Sequence, residues 1–272
     1  MKKLLKKFLP TLILNIIKNI LHIRRNKILK KLDFHELNKI LYLGTQYGGW
    51  SILDYKGLEN KFIISAGLGE DASFDIELIN KYNCKIISVD PTPRAIYHYN
   101  EIIKNSGSKK QNAYEENGRL NISSYDLTKI NNKNFILIKK ALYNSKDKEL
   151  KFFSPLNKNH VSYSINNWQN NYKKDTGFIR VRTITVEDII NSFNIKNLEM
   201  IKLDIEGAEI EVIENMLEKK IFPNQILVEF DELIKINKIS TNRFFKIHNK
   251  LLLHNYKLVK SLNNFPNFLY IR

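Results

Sequence analysis

One cysteine, Cys84, in 272 residues excludes an internal disulfide and a zinc site built from cysteines. It precedes an apolar run and reads most simply as a small core residue in a reducing, cytoplasmic setting. Long apolar runs are missing as well. Leu9 to Ile23 is interrupted by Asn15, Lys18, Asn19 and His22, which makes it too short and too broken to span a bilayer. A small-residue cleavage site is lacking after it; Arg24-Arg25-Asn26-Lys27 follows instead, which argues against a secretory signal. Zinc modules and aromatic-basic platforms are absent, so basic charge alone does not indicate a nucleic-acid partner. No internal repeat is found, and no metal site is assigned.

Acids are absent from residues 1–31, which hold ten Lys and Arg. With a net charge of +16, only +6 remains for the other 241 residues. The body is mildly basic and the surplus sits at the front. The polar positions 15, 18, 19 and 22 form one stripe on a helix. Such a helix can lie on an anionic membrane surface, apolar face down, or pack on the domain or on a second subunit. Oligomeric state is not read from the sequence.

With 43% hydrophobic residues, the chain can bury a sizeable core. The expected organisation is a helical extension over residues 1–46 and one α/β domain over 47–272. Phe62–Ala66 reads as a strand ending in Gly67-Leu68-Gly69; Ser73–Lys81 reads as a helix, and Lys85–Val89 as a strand ending in Asp90. Two glycines permit a tight turn and close approach of a ligand, and an acid after the second strand can accept from ribose hydroxyls. This β–loop–α–β unit is a nucleoside-cofactor cradle.

Further strands are expected at Phe135–Leu142, Leu150–Phe153, Phe178–Thr183, Met200–Ile205 and Gln225–Glu229. Helices are expected near Asp33–Leu41, at Arg94–Lys104, at Val186–Phe193 with Thr185 as N-cap, from Glu209 to Glu218, and at Ser240–Asn255. Gly107–Lys133 reads as a long excursion, and Tyr256–Ser261 with Asn267–Arg272 as a closing antiparallel hairpin. Trp50 either covers the pocket or packs in the core. Strands alternating with helices imply a mostly parallel sheet covered on both faces.

Gly67 to Ala72 also satisfies the dinucleotide pattern, so a nicotinamide enzyme stays in play on that motif alone. Glu70 and Asp71 at the helix entrance would repel a pyrophosphate and suit a cationic sulfonium. Taken together, Ser65-Ala-Gly-Leu-Gly-Glu-Asp-Ala-Ser-Phe-Asp75, Val89-Asp-Pro-Thr-Pro93 and Ile201-Lys-Leu-Asp-Ile-Glu-Gly-Ala-Glu209 resemble the FkbM family of methyltransferases, with Ala141-Leu142 and Thr183–Ile189 fitting too. The resemblance runs from about Tyr47 to Arg272.

It implies the Rossmann-like class I methyltransferase fold, a seven-stranded, mostly parallel sheet with a terminal antiparallel hairpin. It implies S-adenosylmethionine as donor and a hydroxyl acceptor on a small molecule or glycan, such as a bacterial surface-glycan precursor. Residues 1–31 would hold such an enzyme at the inner membrane face. Carried over, Ala66, Gly67 and Gly69 would underlie the methionine and ribose, with Glu70, Asp71, Ser73 and Phe74 at the helix entrance. Asp90 would bind the ribose, Pro91 and Thr92 would edge the adenine, and Ala141 would close the pocket. In a parallel sheet the site lies beyond the carboxyl ends of the strands, which puts Asp204, Glu206, Glu229 and Asp231 there. Asp204 or Glu206 is expected to orient or deprotonate the acceptor, with His160, in a polar loop, and His98 as alternative bases. Glu209 is expected to cap its own helix.

Overall fold

The computed structural model describes residues 20–115, 118–156, 163–165, 176–234 and 236–272. In chain order the elements are α1 (residues 20–29), β1 (Ile40–Leu43), β2 (Trp50–Leu53), β3 (Phe62–Ala66), α2 (Ser73–Tyr82), β4 (Lys85–Val89) and α3 (Pro93–Lys104). Then come β5 (Phe135–Ile138), β6 (Ala141–Leu142), β7 (Glu149–Phe153), β8 (Phe178–Ile184), α4 (Val186–Ser192) and β9 (Met200–Leu203). The chain closes with α5 (Glu209–Glu218), β10 (Gln225–Glu229), α6 (Lys238–Leu253), β11 (Lys257–Val259) and β12 (Asn267–Ile271).

Seven strands form the main sheet in the order β11-β12-β10-β9-β3-β4-β5. β10, β9, β3, β4 and β5 are parallel, while β12 runs antiparallel to both β10 and β11. The order reverses between β3 and β9, and their carboxyl ends open the crevice where such sheets bind ligands. Because helices cover both faces, the strands are near-continuous apolar runs. Alternate residues feed opposite layers: Ile64, Ile87, Ile201 and Val228 pack towards α4, α5 and α6, and Ile63, Ile86, Met200 and Leu227 towards α2, α3 and the β1–β2 hairpin.

Local signals set the helix starts. Thr185 and Asp188 form a reciprocal capping box on α4, and Pro93 opens α3 at a position whose amide has no helical partner.

Three expectations are corrected. The polar segment from Asp33 to Leu41 is not a helix. His35 pairs with β11, its amide donating to Leu258 O at 2.8 Å and its carbonyl accepting from Lys260 N at 2.9 Å, because an open sheet edge offers the backbone a partner. The segment then becomes β1, antiparallel to β2, and the boundary expected between residues 46 and 47 falls inside the turn of this hairpin. The expected single strand Phe135–Leu142 breaks at Lys139-Lys140. Its first part joins the main sheet and Ala141-Leu142 pairs with β8 in a separate three-stranded sheet, β6-β8-β7.

The described part of the front end packs on the domain. Ile28 and Leu32 enter the core, Arg24 donates to Ile236 O at 2.9 Å, and Arg25 stacks 4.8 Å from the Phe265 ring centroid. The polar stripe read at 15, 18 and 19 lies outside the described residues. Among those residues no helix is long and apolar enough to cross a membrane. Cys84 and Trp50 are core residues.

Candidate active site

A cavity of about 380 Å³ opens at the carboxyl ends of β3, β4, β9 and β10. Gly67, Gly69, Glu70, Asp71, Asp90, Pro91, Thr92 and Ala141 line it, and after β9 and β10 so do Asp204, Glu206 and Glu229. The two motifs read from the sequence, more than a hundred residues apart, meet here.

The two glycines of the turn differ in kind. Gly67 has φ +86°, and a Cβ on it would lie 1.8 Å from the carbonyl oxygen of Asp204, so the turn and the end of β9 touch backbone to backbone. Gly69 has φ +58°, and a Cβ there would meet nothing within 4 Å. That open space faces the cavity and would admit a ligand.

Asp90 ties the turn shut. Its Oδ2 accepts from Leu68 N at 3.0 Å and Gly69 N at 3.1 Å, and its Oδ1 from Thr92 N at 2.8 Å and Thr92 Oγ1 at 2.7 Å. A carboxylate has about four acceptor sites, so the protein itself engages this one fully, and a ribose hydroxyl would have to displace the swivelling Thr92 hydroxyl.

Glu70 and Asp71 are less available than the sequence suggested. Glu70 faces Arg94 at 2.5 Å and Arg119 at 3.2 Å, so its charge is met by guanidinium groups. Asp71 accepts from Thr45 Oγ1 at 2.6 Å and Ser73 N at 3.0 Å, and Thr45 Oγ1 in turn accepts from Gly48 N at 2.9 Å. Asp71 thus fastens the β1–β2 turn to the start of α2. Electrostatic exclusion of a pyrophosphate by these two acids therefore loses its force.

Three expected contacts are corrected. Ser73 is buried and accepts from Thr45 N at 3.0 Å, so it faces the hairpin; Phe74 packs in the core, and Ala66 is sealed within the sheet, its carbonyl accepting from Asp204 N at 3.2 Å. None of the three lines the cavity. Motif position alone does not distinguish the faces of a strand or helix. His98 is also buried, held against Tyr125 Oη at 2.8 Å, and burial holds its imidazole below the usual range; it packs α3 rather than facing the cavity. His160 lies outside the described residues, as do Asn157, Ser162 and Asn167 of the same loop. Tyr163 reaches the cavity, and Ser164 pairs with Phe153 on the edge of β7.

The wall contributed by the ends of β9 and β10 is strongly acidic. Glu206 adopts a left-handed φ of +57°, followed by Gly207 at +104°, a bend that turns the chain from β9 into α5. Glu209 is buried beneath that bend and accepts from Ile205 N at 2.8 Å and Gly207 N at 3.0 Å, so it holds the bend before α5 and does not cap the helix itself, as had been expected. Burial raises its carboxyl well above the usual range. Burial likewise pushes Glu229 up to about 9, reinforced by Asp204, Glu206 and Glu209 and by a hydrogen bond with Asp204. Asp231 is raised well above its usual range for the same reason, burial first and neighbouring acids second. Burial therefore favours the neutral form of the Glu229 carboxyl.

Two cavity residues were not singled out from the sequence. Tyr47, on the hairpin turn, lies over Gly118 beside the acidic wall; burial and then Asp204, Glu206 and Glu229 raise its phenol. Lys202 is 6% exposed and donates to Gly67 O at 2.6 Å. A lysine within the apolar strand Met200-Ile-Lys-Leu203 was the available signal, since buried lysines are rare unless paired. Among the described residues, no group of three or more His, Cys, Asp or Glu is placed to hold a metal ion.

The glycine turn, the strand-end acid of β4 and a β12 inserted antiparallel between β10 and β11 define the Rossmann-like class I methyltransferase fold. The chain belongs to the Methyltransferase FkbM domain family, whose model matches residues 64–258. A comparison with curated proteins returns no match. Among solved structures, it is similar to the Methanococcus jannaschii fibrillarin pre-rRNA processing protein, with a TM-score of 0.37 and 12% identity over 79% of this chain. The alignment spans 66% of that chain, just under two thirds of its length.

Proposed function

We propose that the protein is an S-adenosylmethionine-dependent O-methyltransferase acting on a hydroxyl of a sugar or surface-glycan precursor. The observation that carries this is one cavity that gathers two unlike sets of residues: the Gly67–Gly69 turn with Asp90, Pro91 and Thr92, and the acids Asp204, Glu206 and Glu229. The open space at Gly69 fits a nucleoside, and the acidic wall suits a cation. When bound, S-adenosylmethionine supplies an electrophilic methyl group on a positively charged sulfur.

The chain's own residues do the rest. Gly67 and Gly69 give close approach, Asp90 accepts from the ribose, Pro91 and Thr92 border the adenine, and Ala141 lies beside it. Asp204 takes the proton of the acceptor hydroxyl, and Glu206 orients that hydroxyl. Aromatic rings at Tyr47, Phe152, Tyr163 and Phe265 also line the cavity, and such faces pack on the C–H surface of a sugar while carboxylates accept from its hydroxyls. Much of the rate comes from holding the acceptor oxygen in line.

Titration calorimetry with S-adenosylmethionine and with NAD tests the donor. Binding of the first alone is expected; binding of NAD without S-adenosylmethionine overturns the proposal. Transfer of labelled methyl to a panel of nucleotide sugars and glycan precursors tests the acceptor, and methylation only of amines or carboxylates removes the hydroxyl assignment.

The location proposed is cytoplasmic, at the inner membrane face. Residues 1–19 carry five of the ten front-end cations and lie before the packed part of α1. Their deletion is expected to release the protein from anionic vesicles while leaving it folded. Failure of the full chain to bind such vesicles ends this part of the proposal.

A further inference from the structure

The small sheet β6-β8-β7 is strongly basic. Residues 139–153 and 178–184 hold seven Lys and Arg against two acids, a surplus of five, where the whole chain beyond residue 31 has only +6. Strand register sorts these residues onto two faces. β7 and β8 pair antiparallel as Glu149↔Arg182, Lys151↔Arg180 and Phe153↔Phe178, and the residues between them turn the other way. On the inner face Leu150, Phe152, Ile179 and Val181 pack together, and Phe152 reaches the cavity. On the outer face Lys151, Phe178, Arg180 and Arg182 are exposed.

The outer face is ordered around one ring. Phe178 is 42% exposed, with Lys151 Nζ 4.6 Å and the Arg180 guanidinium 5.8 Å from its centroid. The Phe153 ring stands edge-on to it at 6.1 Å. Glu149 pairs with Arg180, and Asp147 is held by Lys140 at 2.7 Å, so Lys151 and Arg182 form no ion pair among the described residues. The backbone of Phe153 pairs with Ser164, whose neighbour Tyr163 lines the cavity together with Phe152. The aromatic pair thus stands beside a segment of the cavity wall, and the cations follow along the strands at steps of about 7 Å.

We infer that the outer face of β7 and β8 is a docking surface for an acidic glycan, a chain whose sugars carry carboxylates. Its reacting sugar enters the cavity, sugar rings pack on Phe153 and Phe178, and carboxylates meet Lys151, Arg180 and Arg182. Aromatic faces take the C–H surface of a sugar, and exposed guanidinium and ammonium groups beside them match an anion on the same ligand. Glu149, exposed in the same rows, opposes a flat bilayer of anionic headgroups. A neutral glycan would leave the cations unused. This partner narrows the acceptor class proposed above and rests on that reading.

The test uses the full chain and fluorescent oligogalacturonate, which has a carboxylate on every sugar, with its methyl ester as the neutral counterpart. The acid form is expected to bind at least about tenfold more tightly than the ester, and to lose affinity as salt is raised. No binding of the acid form, or equal binding of both, overturns the inference. Lys151→Gln combined with Arg182→Gln is expected to weaken binding about tenfold, and Lys151→Arg with Arg182→Lys to retain it. Lys56→Gln with Lys196→Gln removes the same charge at exposed positions before β3 and β9, and is expected to leave binding as it was. An equal loss in both pairs shows attraction by net charge alone and overturns the inference. Single-stranded RNA or anionic vesicles, bound more tightly than the glycan and released by the substitutions at Lys151 and Arg182, would give the face another partner and do the same. Failure to bind S-adenosylmethionine sinks the proposed function and leaves a glycan-binding face. Methyl transfer to neutral glycans, without binding of the acidic one, does the reverse.

Discussion

The two walls of the cavity are built on opposite principles. On the donor side every carboxylate has met its partner: Asp90 holds four bonds within the turn, Glu70 faces two guanidinium groups, and Asp71 joins the hairpin to α2. On the acceptor side Asp204, Glu206 and Glu229 crowd together with Lys202 as the ammonium against them, and burial forces Glu229 to keep its proton. The first wall spends its polar groups on shape. The second crowds acids together. Perturbed carboxylates in a cleft mark a candidate site for proton transfer.

The largest effect should come from Gly67→Ala, which would drive a methyl group into the Asp204 carbonyl at a positive φ. A loss of roughly 3 kcal/mol or more is expected by denaturant unfolding. Gly69→Ala, with open space around it, should cost only about 1 kcal/mol yet weaken S-adenosylmethionine binding. Equal costs at the two glycines would erase the distinction between them.

Asp90→Ala should come next. It strands the buried amide of Leu68 and the half-buried amide of Gly69, for a loss of about 2–3 kcal/mol, and donor binding should disappear with it. Unchanged affinity in calorimetry shows that Asp90 shapes the turn without touching the ribose.

The acidic wall predicts a pH signature. Glu229 keeps its proton in the folded chain up to about 9 and loses it near 4.5 when unfolded, so the folded state binds more protons between those values. Stability from this group is complete below about 4.5 and is lost as pH rises towards 9. Glu229→Gln, which cannot ionise, should match the parent near pH 5 and become progressively more stable than it as pH rises to 9 in thermal or chemical melts. Parallel stability curves for the two proteins across that window contradict the assignment.

Glu70→Gln should matter least. Its ion pairs are partly exposed, so less than about 1 kcal/mol is expected, with donor affinity little changed. A large loss of binding would return Glu70 to the donor site that its guanidinium partners now deny it.

Much of this was legible in one dimension. Strands β3 and β4, helices α2, α3 and α4 and the closing antiparallel pair follow from apolar runs, caps and glycines, because both faces of the sheet are buried and the local signals agree, whereas the seven-stranded sheet was implied by the family resemblance. The acids at the ends of β9 and β10 were readable for the same reason, since a parallel sheet gathers its carboxyl ends on one side. The segment at Asp33–Leu41 was not, because its partner is the edge of β11, more than two hundred residues away, and tertiary pairing overrode a helical pattern. Ser73 and Phe74 were misplaced because a motif gives the neighbourhood of a residue and not the direction of its side chain.

The sequence by itself therefore determined the class of fold, the family and the two motifs, since each depends on residue types and spacings along one stretch. Only the tertiary structure decided which acids are neutralised and which stay in tension. That depends on what lies around each acid: two arginines before Glu70, one lysine beside Asp204, and Asp204, Glu206 and Glu209 acting on Glu229. Charge state is a property of the assembled surroundings, because burial and neighbours a few ångströms away set it, and those neighbours come from distant parts of the chain.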